Sequence, residues 1–416
     1  MWVTSPPCPW PNASPFDCSG TRGTSPAVER MPTPPGSPRQ ARCVRGQAAL
    51  PSPRGDCMTK ARPPQVGRSA LGLAVALAIT LLAALPVAHA CTRVLWMSPD
   101  NQVFVGRTQD WTEKAGHAFR LFPRGAQRVG AVAENPHRWT AKYGSLVLTA
   151  YDMATHEGVN EKGLSGHALY LAEDNSFPRR DPRQPGIGVM QWVQYYLDNY
   201  ATVAEAVEAQ KSWPFQIESM ILPNGFPTLV HVSLSDRSGD SAVIEFIGGK
   251  ARIHHDRRFT VMTNEPTFDK QIRNLKQYRN FGGDRPLPGD RTPTDRFVRA
   301  AFYASQLQTP ASPAEGTAFM FSVIRNVSVP FGAGDPKRPN IASTIFRSVI
   351  DLTGERYFFE STFAPNVVWV DYSRLDFGNA SGEQELKVEQ RILSLNGDVT
   401  GLFEPAKPLI FGMNRR

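Results

Sequence analysis

One cysteine, Cys91, serves the last 326 residues of this chain. That stretch cannot close an internal disulfide, so whatever it folds into must be held by a large buried core. A chain of this length can build one. The position of the cysteine is as telling as its solitude. It follows an apolar segment that ends Leu85-Pro86-Val87-Ala88-His89-Ala90. Small residues three and one places before a cut are what a signal peptidase prefers, and Ala88 and Ala90 supply them. Cleavage there would leave Cys91 first in the processed chain, its thiol beside a free α-amino group. The amine titrates near 7.7–8.0 and the thiol near 8.5, close enough for a proton to pass between them. Before the cut that nitrogen is an amide without basicity, so processing would switch the pair on.

The sequence divides into three unlike parts. Residues 1–57 hold 12 of the 36 prolines and four of the five cysteines, with no apolar periodicity. They read as disordered or as an over-long gene start. Met58 opens a better start: Lys60, Arg62 and Arg68 form a positive stretch, and Ser69 to Leu85 an apolar one. Residues 58–90 are therefore read as a signal peptide, too short in its apolar part for a confident membrane span. The product is expected in the periplasm or outside the cell, with no membrane attachment after cleavage. Residues 91–416 are expected to form a single domain. The net charge of +8 belongs mostly to the leader, because 91–416 carries 37 basic against 35 acidic residues. Nucleic-acid binding is not indicated.

Within 91–416, period-two patterning marks strands at 92–97 and 102–107 around the turn Ser98-Pro99-Asp100-Asn101. Such a hairpin would bring Arg107 and Asp110 near Cys91. More strands are expected at 146–150, 163–171, 219–222, 228–233, 242–247, 251–255 and 259–263. A closing set follows at 345–351, 356–360 and 366–372. Helices are expected over 189–200, 202–211, 295–306 and 318–325. Blocks of strands with interleaved helix pairs indicate an α+β layered fold.

Two readings of Cys91 compete with a nucleophile. It could be a buried apolar side chain, or the acylated cysteine of a lipid-anchored envelope binding protein. The bulky His89, two places before it, disfavours lipidation. In Gly106-Arg107-Thr108-Gln109-Asp110-Trp111, a carboxylate could hold an ammonium and a guanidinium would favour thiolate. Other chemistries leave no trace: there is no HExxH, no P-loop, no paired CxxC and no Gly-x-Ser-x-Gly elbow. No metal or cofactor is expected.

Further motifs follow in order: Gly158-Val159-Asn160-Glu161-Lys162-Gly163-Leu164, Thr263-Asn264-Glu265-Pro266-Thr267-Phe268, Leu287-Pro288-Gly289-Asp290 with Arg296-Phe297, and Asn326-Val327-Ser328-Val329-Pro330-Phe331-Gly332. Together with Cys91, Arg107 and Asp110, this series resembles the choloylglycine hydrolase and penicillin V acylase family of N-terminal-nucleophile hydrolases, from 91 to near 375. The resemblance implies a four-layer αββα sandwich and assembly as a homotetramer. It implies Cys91 as nucleophile with its own amine as base, Asp110 holding that amine and Arg107 tuning the thiol. Asn264 and the backbone N–H of Tyr170 would stabilise an oxyanion, and Arg296 would support the charges. Tyr170 stands where penicillin V acylases carry Tyr and the bile-salt enzymes Asn. The expected activity is hydrolysis of a small-molecule linear amide beside an apolar acyl group, of the penicillin V or acyl-homoserine lactone type. Conjugated bile salts are the alternative.

Overall fold

The computed structural model describes residues 91–172, 175–334, 342–378, 380 and 382–412. The expected extension 1–57 and signal peptide 58–90 lie outside the described residues. The fold is α+β, and its centre is a pair of large β-sheets. The first sheet runs, in spatial order, Val261–Met262, Cys91–Met97 (β1), Val103–Asp110 (β2), Thr344–Asp351, Arg356–Ser361, Val367–Asp371 and Gly397–Asp398. The second has nine strands, with Ser241–Ile247, Val230–Ser235, Ser165–Tyr170, Ala154–Asn160, Ser145–Ala150 and Ala118–Phe122 across its middle. The sheets meet through aromatic side chains: the Phe119 ring of the second stands 5.0 Å edge-on from Tyr357 of the first. Such contacts add to area burial.

Helices close both outer faces. Pro293–Ser305 packs on β1, and Pro313–Asn326 on β2 and Thr344–Asp351. Both begin with sequence signals for a helix start. Thr292 and Ser312 accept from the backbone N–H three residues on, each followed by proline at the first helical position. Apolar residues at helical spacing, Phe297, Met320, Phe321 and Ile324, then pack on Val94, Trp96 and Phe104 of the sheet. Gly106 permits this approach, since a Cβ there would sit 2.6 Å from Met320 Sδ and 2.7 Å from Ile324. On the far side, Trp192–Asn199 packs on the Ala154–Asn160 and Ser165–Tyr170 strands. The result is the αββα sandwich that the sequence resemblance implied.

β1 and β2 form the expected antiparallel hairpin, with Cys91 opposite Gln109 and Arg93 opposite Arg107. Asn101 closes the turn at φ 65, a conformation asparagine tolerates. The expected strand at 219–222 does not form. The strand is Gln216–Glu218, and 219–222 contributes only an Ile221–Pro227 bridge. Pro223 and Pro227 lack the N–H that a ladder needs. The helix Phe268–Leu275 was not anticipated. It buries only Phe268, Gln271 and Leu275, and three of its other five residues, Asp269, Lys270 and Arg273, are charged.

Candidate active site

Alternation along a strand sorts the site into two halves. Cys91 and Gln109 face the second sheet together with Arg93 and Arg107, whereas Thr92, Thr108 and Asp110 face the helices. The sulfur and the nitrogen of Cys91 are consequently served from opposite sides of one strand.

On the sheet side, Arg107 Nη2 lies 3.8 Å from Cys91 Sγ. The guanidinium is held by Glu157 at 2.7 Å, Gln109 Oε1 at 2.6 Å and the Ala168 carbonyl at 2.8 Å, and it also meets His156 Nε2. Glu157 comes from the second sheet and accepts in turn from Ser348 and Tyr357 of the first. Burial strongly lowers the His156 pKa, and the Arg107 charge pulls the same way, so the ring is neutral and its nitrogen can accept. The thiol donates toward Gln109 Oε1 at 3.3 Å. Burial pushes the Cys91 pKa up; Arg107 opposes this but does not win, and the Asp110 charge adds to the rise. The expectation that a nearby guanidinium favours thiolate holds for Arg107 alone and is reversed in the sum. A thiol in this setting needs a base to take its proton.

On the helix side, Arg296 donates to the carbonyl oxygen of Cys91 at 2.7 Å, to Thr92 Oγ1 at 2.5 Å and to Asn264 Oδ1 at 3.0 Å. It also lies 3.4 Å from Asp110 Oδ2. The Cys91 backbone N–H donates to Asn264 Oδ1, and Asn264 Nδ2 donates to the Tyr170 carbonyl at 2.7 Å. Asp110 Oδ1 accepts from Thr344 at 2.5 Å, while its Oδ2 is buried with no hydrogen bond among the described residues. Burial pushes this carboxyl up to about 6, against the pull of Arg296 and Thr344. A carboxylate oxygen with no hydrogen bond, on the strand paired with that of Cys91, could accept from an ammonium.

All six residues singled out from the sequence, Cys91, Arg107, Asp110, Tyr170, Asn264 and Arg296, are buried and converge here. The late motifs act through them. Arg291 and Asp290 offer carbonyls to Arg296 and Arg299. The Val329 N–H bonds the same Thr344 hydroxyl that holds Asp110. Sequence reasoning missed Gln109, Glu157, His156 and Thr344. Glu157 lies directly before the 158–164 motif, in a run whose polar residues hid the strand.

Cys91 opens on a pocket lined by Trp111, Tyr151, Tyr170, Val189, Met190 and Leu222 among others. Trp111 meets Tyr170 edge-on at 5.9 Å. The Tyr170 pKa is pushed up to about 12, by burial and then by Glu265, so its ring remains a neutral wall. Most of the lining is apolar or aromatic, and two of its polar residues, Arg107 and Gln109, meet the Cys91 sulfur.

The sequence model described as "Linear amide C-N hydrolases, choloylglycine hydrolase family" matches residues 91–386. The chain belongs to this family. It is 39% identical over 350 residues to the penicillin V acylase of Pectobacterium atrosepticum, covering 78% of this chain and 93% of that protein. It is 26% identical over 297 residues to a bile salt hydrolase/transferase of Clostridium perfringens, 65% and 89% covered. The solved penicillin V acylase of Agrobacterium tumefaciens superposes with a TM-score of 0.72 at 42% identity, covering 78% of this chain and all of that one. As a family member the chain is an enzyme that hydrolyses linear amide C–N bonds.

Proposed function

We propose that the chain is exported, cut before Cys91, and thereby becomes an acylase for amides whose acyl group is apolar, of the penicillin V or acyl-homoserine lactone type. The observation that carries this reading is the convergence on one residue of separate partners for nitrogen, carbonyl and sulfur, at the mouth of an apolar pocket. Once free, the α-amine takes the Cys91 proton, and the sulfur attacks the amide carbonyl. The resulting oxyanion is met by the second Asn264 Nδ2 hydrogen, the first being engaged by Tyr170, and by the Tyr170 backbone N–H. Asp110 Oδ2 and Asn264 Oδ1 hold the ammonium, which returns its proton to the leaving amine as the C–N bond breaks. Water then cleaves the thioester, releasing the acid and restoring the thiol. The greater identity to penicillin V acylases, together with Tyr170, supports this substrate class over conjugated bile salts. The lipid-anchored alternative fits poorly with a Cys91 that is only 2% exposed.

The test is turnover by the protein beginning at Cys91 of penicillin V, a long-chain acyl-homoserine lactone and a glycine-conjugated bile salt, side by side. Preference for either of the first two is expected. Preference for the bile salt would reverse the substrate assignment. The intact mass of the exported protein is expected to begin at unmodified Cys91, and a diacylglycerol adduct there would refute the export and processing scheme.

A further inference from the structure

Gln109 stands next to the thiol, is only 3% exposed, and has half of its amide committed. Its Oε1 accepts from Arg107 Nη2 at 2.6 Å and from Cys91 Sγ at 3.3 Å. Arg107 can only donate, so the amide cannot be turned the other way, and the –NH2 end must point away from the guanidinium. Among the described residues that Nε2 has no hydrogen-bond partner. Gln109 lines the same pocket as Cys91, and most of the other lining residues are apolar or aromatic, among them Trp111, Ala115, Ala150, Ala154 and Tyr170. An amide whose N–H donors are uncommitted thus stands in the pocket lining, on the residue whose oxygen meets the Cys91 sulfur. A plain hydrocarbon chain would leave both donors unsatisfied, which is costly in such surroundings.

We infer that Gln109 is a specificity-determining residue that reads an oxygen carried near the scissile carbonyl on the acyl side of the substrate. Counting the carbonyl carbon as first, the fitting position is the third atom of the acyl chain. An aryloxyacetyl group carries an ether oxygen at that atom, and a 3-oxoacyl group carries a carbonyl oxygen on it. The shared chemistry is a hydrogen-bond acceptor at or on the third atom of the acyl chain, one or two carbons from the reacting carbonyl. This rests on the acylase reading above. A site built to bond an acceptor rejects the analogue lacking it more sharply than an apolar pocket rejects a change of one methylene.

The experiment uses two isosteric pairs and the protein beginning at Cys91. One pair is a phenoxyacetyl amide against its 3-phenylpropanoyl counterpart, in which CH2 replaces the ether oxygen. The other is a 3-oxoacyl-homoserine lactone against the plain acyl lactone of equal length. The ratio of kcat/KM within each pair is read for wild type, Gln109→Met and Gln109→Glu. Wild type is expected to favour the oxygen-bearing member of at least one pair by about tenfold or more, and the pair concerned identifies the source. Gln109→Met, similar in shape and without donors, should bring that ratio close to one. Gln109→Glu, which keeps the Arg107 contact but presents an acceptor, should invert it. Wild-type ratios within about threefold of unity in both pairs would overturn the inference without need of a variant, as would a ratio unmoved in both variants. Turnover of all substrates with flat ratios leaves the acylase reading standing, whereas turnover of none removes both.

Discussion

At the residue scale, the proposed role of Cys91 as nucleophile turns on its nitrogen becoming basic. Burial raises the thiol pKa despite Arg107, so ionisation depends on a local proton acceptor. Adding one residue before Cys91 should therefore lower kcat/KM by about 10²–10⁴, the usual worth of a positioned base, as measured on matched folded preparations. Asn264→Ala should cost about 10²–10³ in kcat if its Nδ2 meets the oxyanion. Cys91→Ser should fold and lose nearly all turnover. Asp110 gives a prediction of stability in the uncleaved chain. Its carboxyl is pushed up to about 6 from an ordinary 3.8, so between those values the folded chain keeps a proton that the unfolded chain has released. Its contribution is full below about pH 4 and is lost as pH rises through about 6, a change of ~3 kcal/mol. Denaturant unfolding at pH 4 and pH 7 should show this fall in the uncleaved protein and not in its Asp110→Asn variant. The sequence made Cys91, Arg107 and Asp110 legible because they are close in the chain and a hairpin register joins them. Asn264 and Arg296 became legible only through the family motifs. By residue pattern alone they are a turn residue and one arginine of a helix.

At the element scale, legibility followed burial pattern. Strands with one or two apolar faces, such as Ser241–Ile247 and Thr344–Asp351, were visible from composition. Ala154–Asn160 was not, because it buries Glu157, and half-buries His156, where a strand normally buries Val or Ile. His156 and Glu157 are both spent on Arg107, which disguised the element. Gly106 marks another element-scale constraint. Helix Pro313–Asn326 crosses β2 with no room for a methyl group, since the added Cβ would meet Met320 and Ile324 inside van der Waals contact. Gly106→Ala should destabilise by about 1–3 kcal/mol, read as a lower denaturation midpoint. It should also weaken turnover, because Arg107 is the next residue on that strand.

At the scale of the whole molecule, the two sheets are joined by a polar bridge as well as an apolar core. Arg107, Ser348 and Tyr357 of the first sheet all bond Glu157 of the second. The Glu157 pKa ends below its usual value: burial raises it, and the Arg107 charge with the hydroxyl donors more than offsets that. Its contribution is present above the unfolded carboxyl range and disappears as pH falls through the lowered value. Glu157→Gln leaves Arg107 buried beside an uncharged partner and should cost about 3–5 kcal/mol, seen as a lower midpoint in guanidinium. The αββα stacking was implied by the resemblance, not by periodicity, since sheet order depends on pairings far apart in sequence such as β2 with Thr344–Asp351. That β1 is served by different partners on its two faces has a consequence for variation. Substitutions on the helix side, around Asp110 and Arg296, act on proton handling and should shift pH–rate profiles while leaving the ranking of acyl groups intact. Substitutions on the sheet side, around Gln109 and Trp111, should reorder acyl preference. A lineage of such enzymes can therefore change diet and working pH as two nearly independent traits, with a single strand as the partition between them.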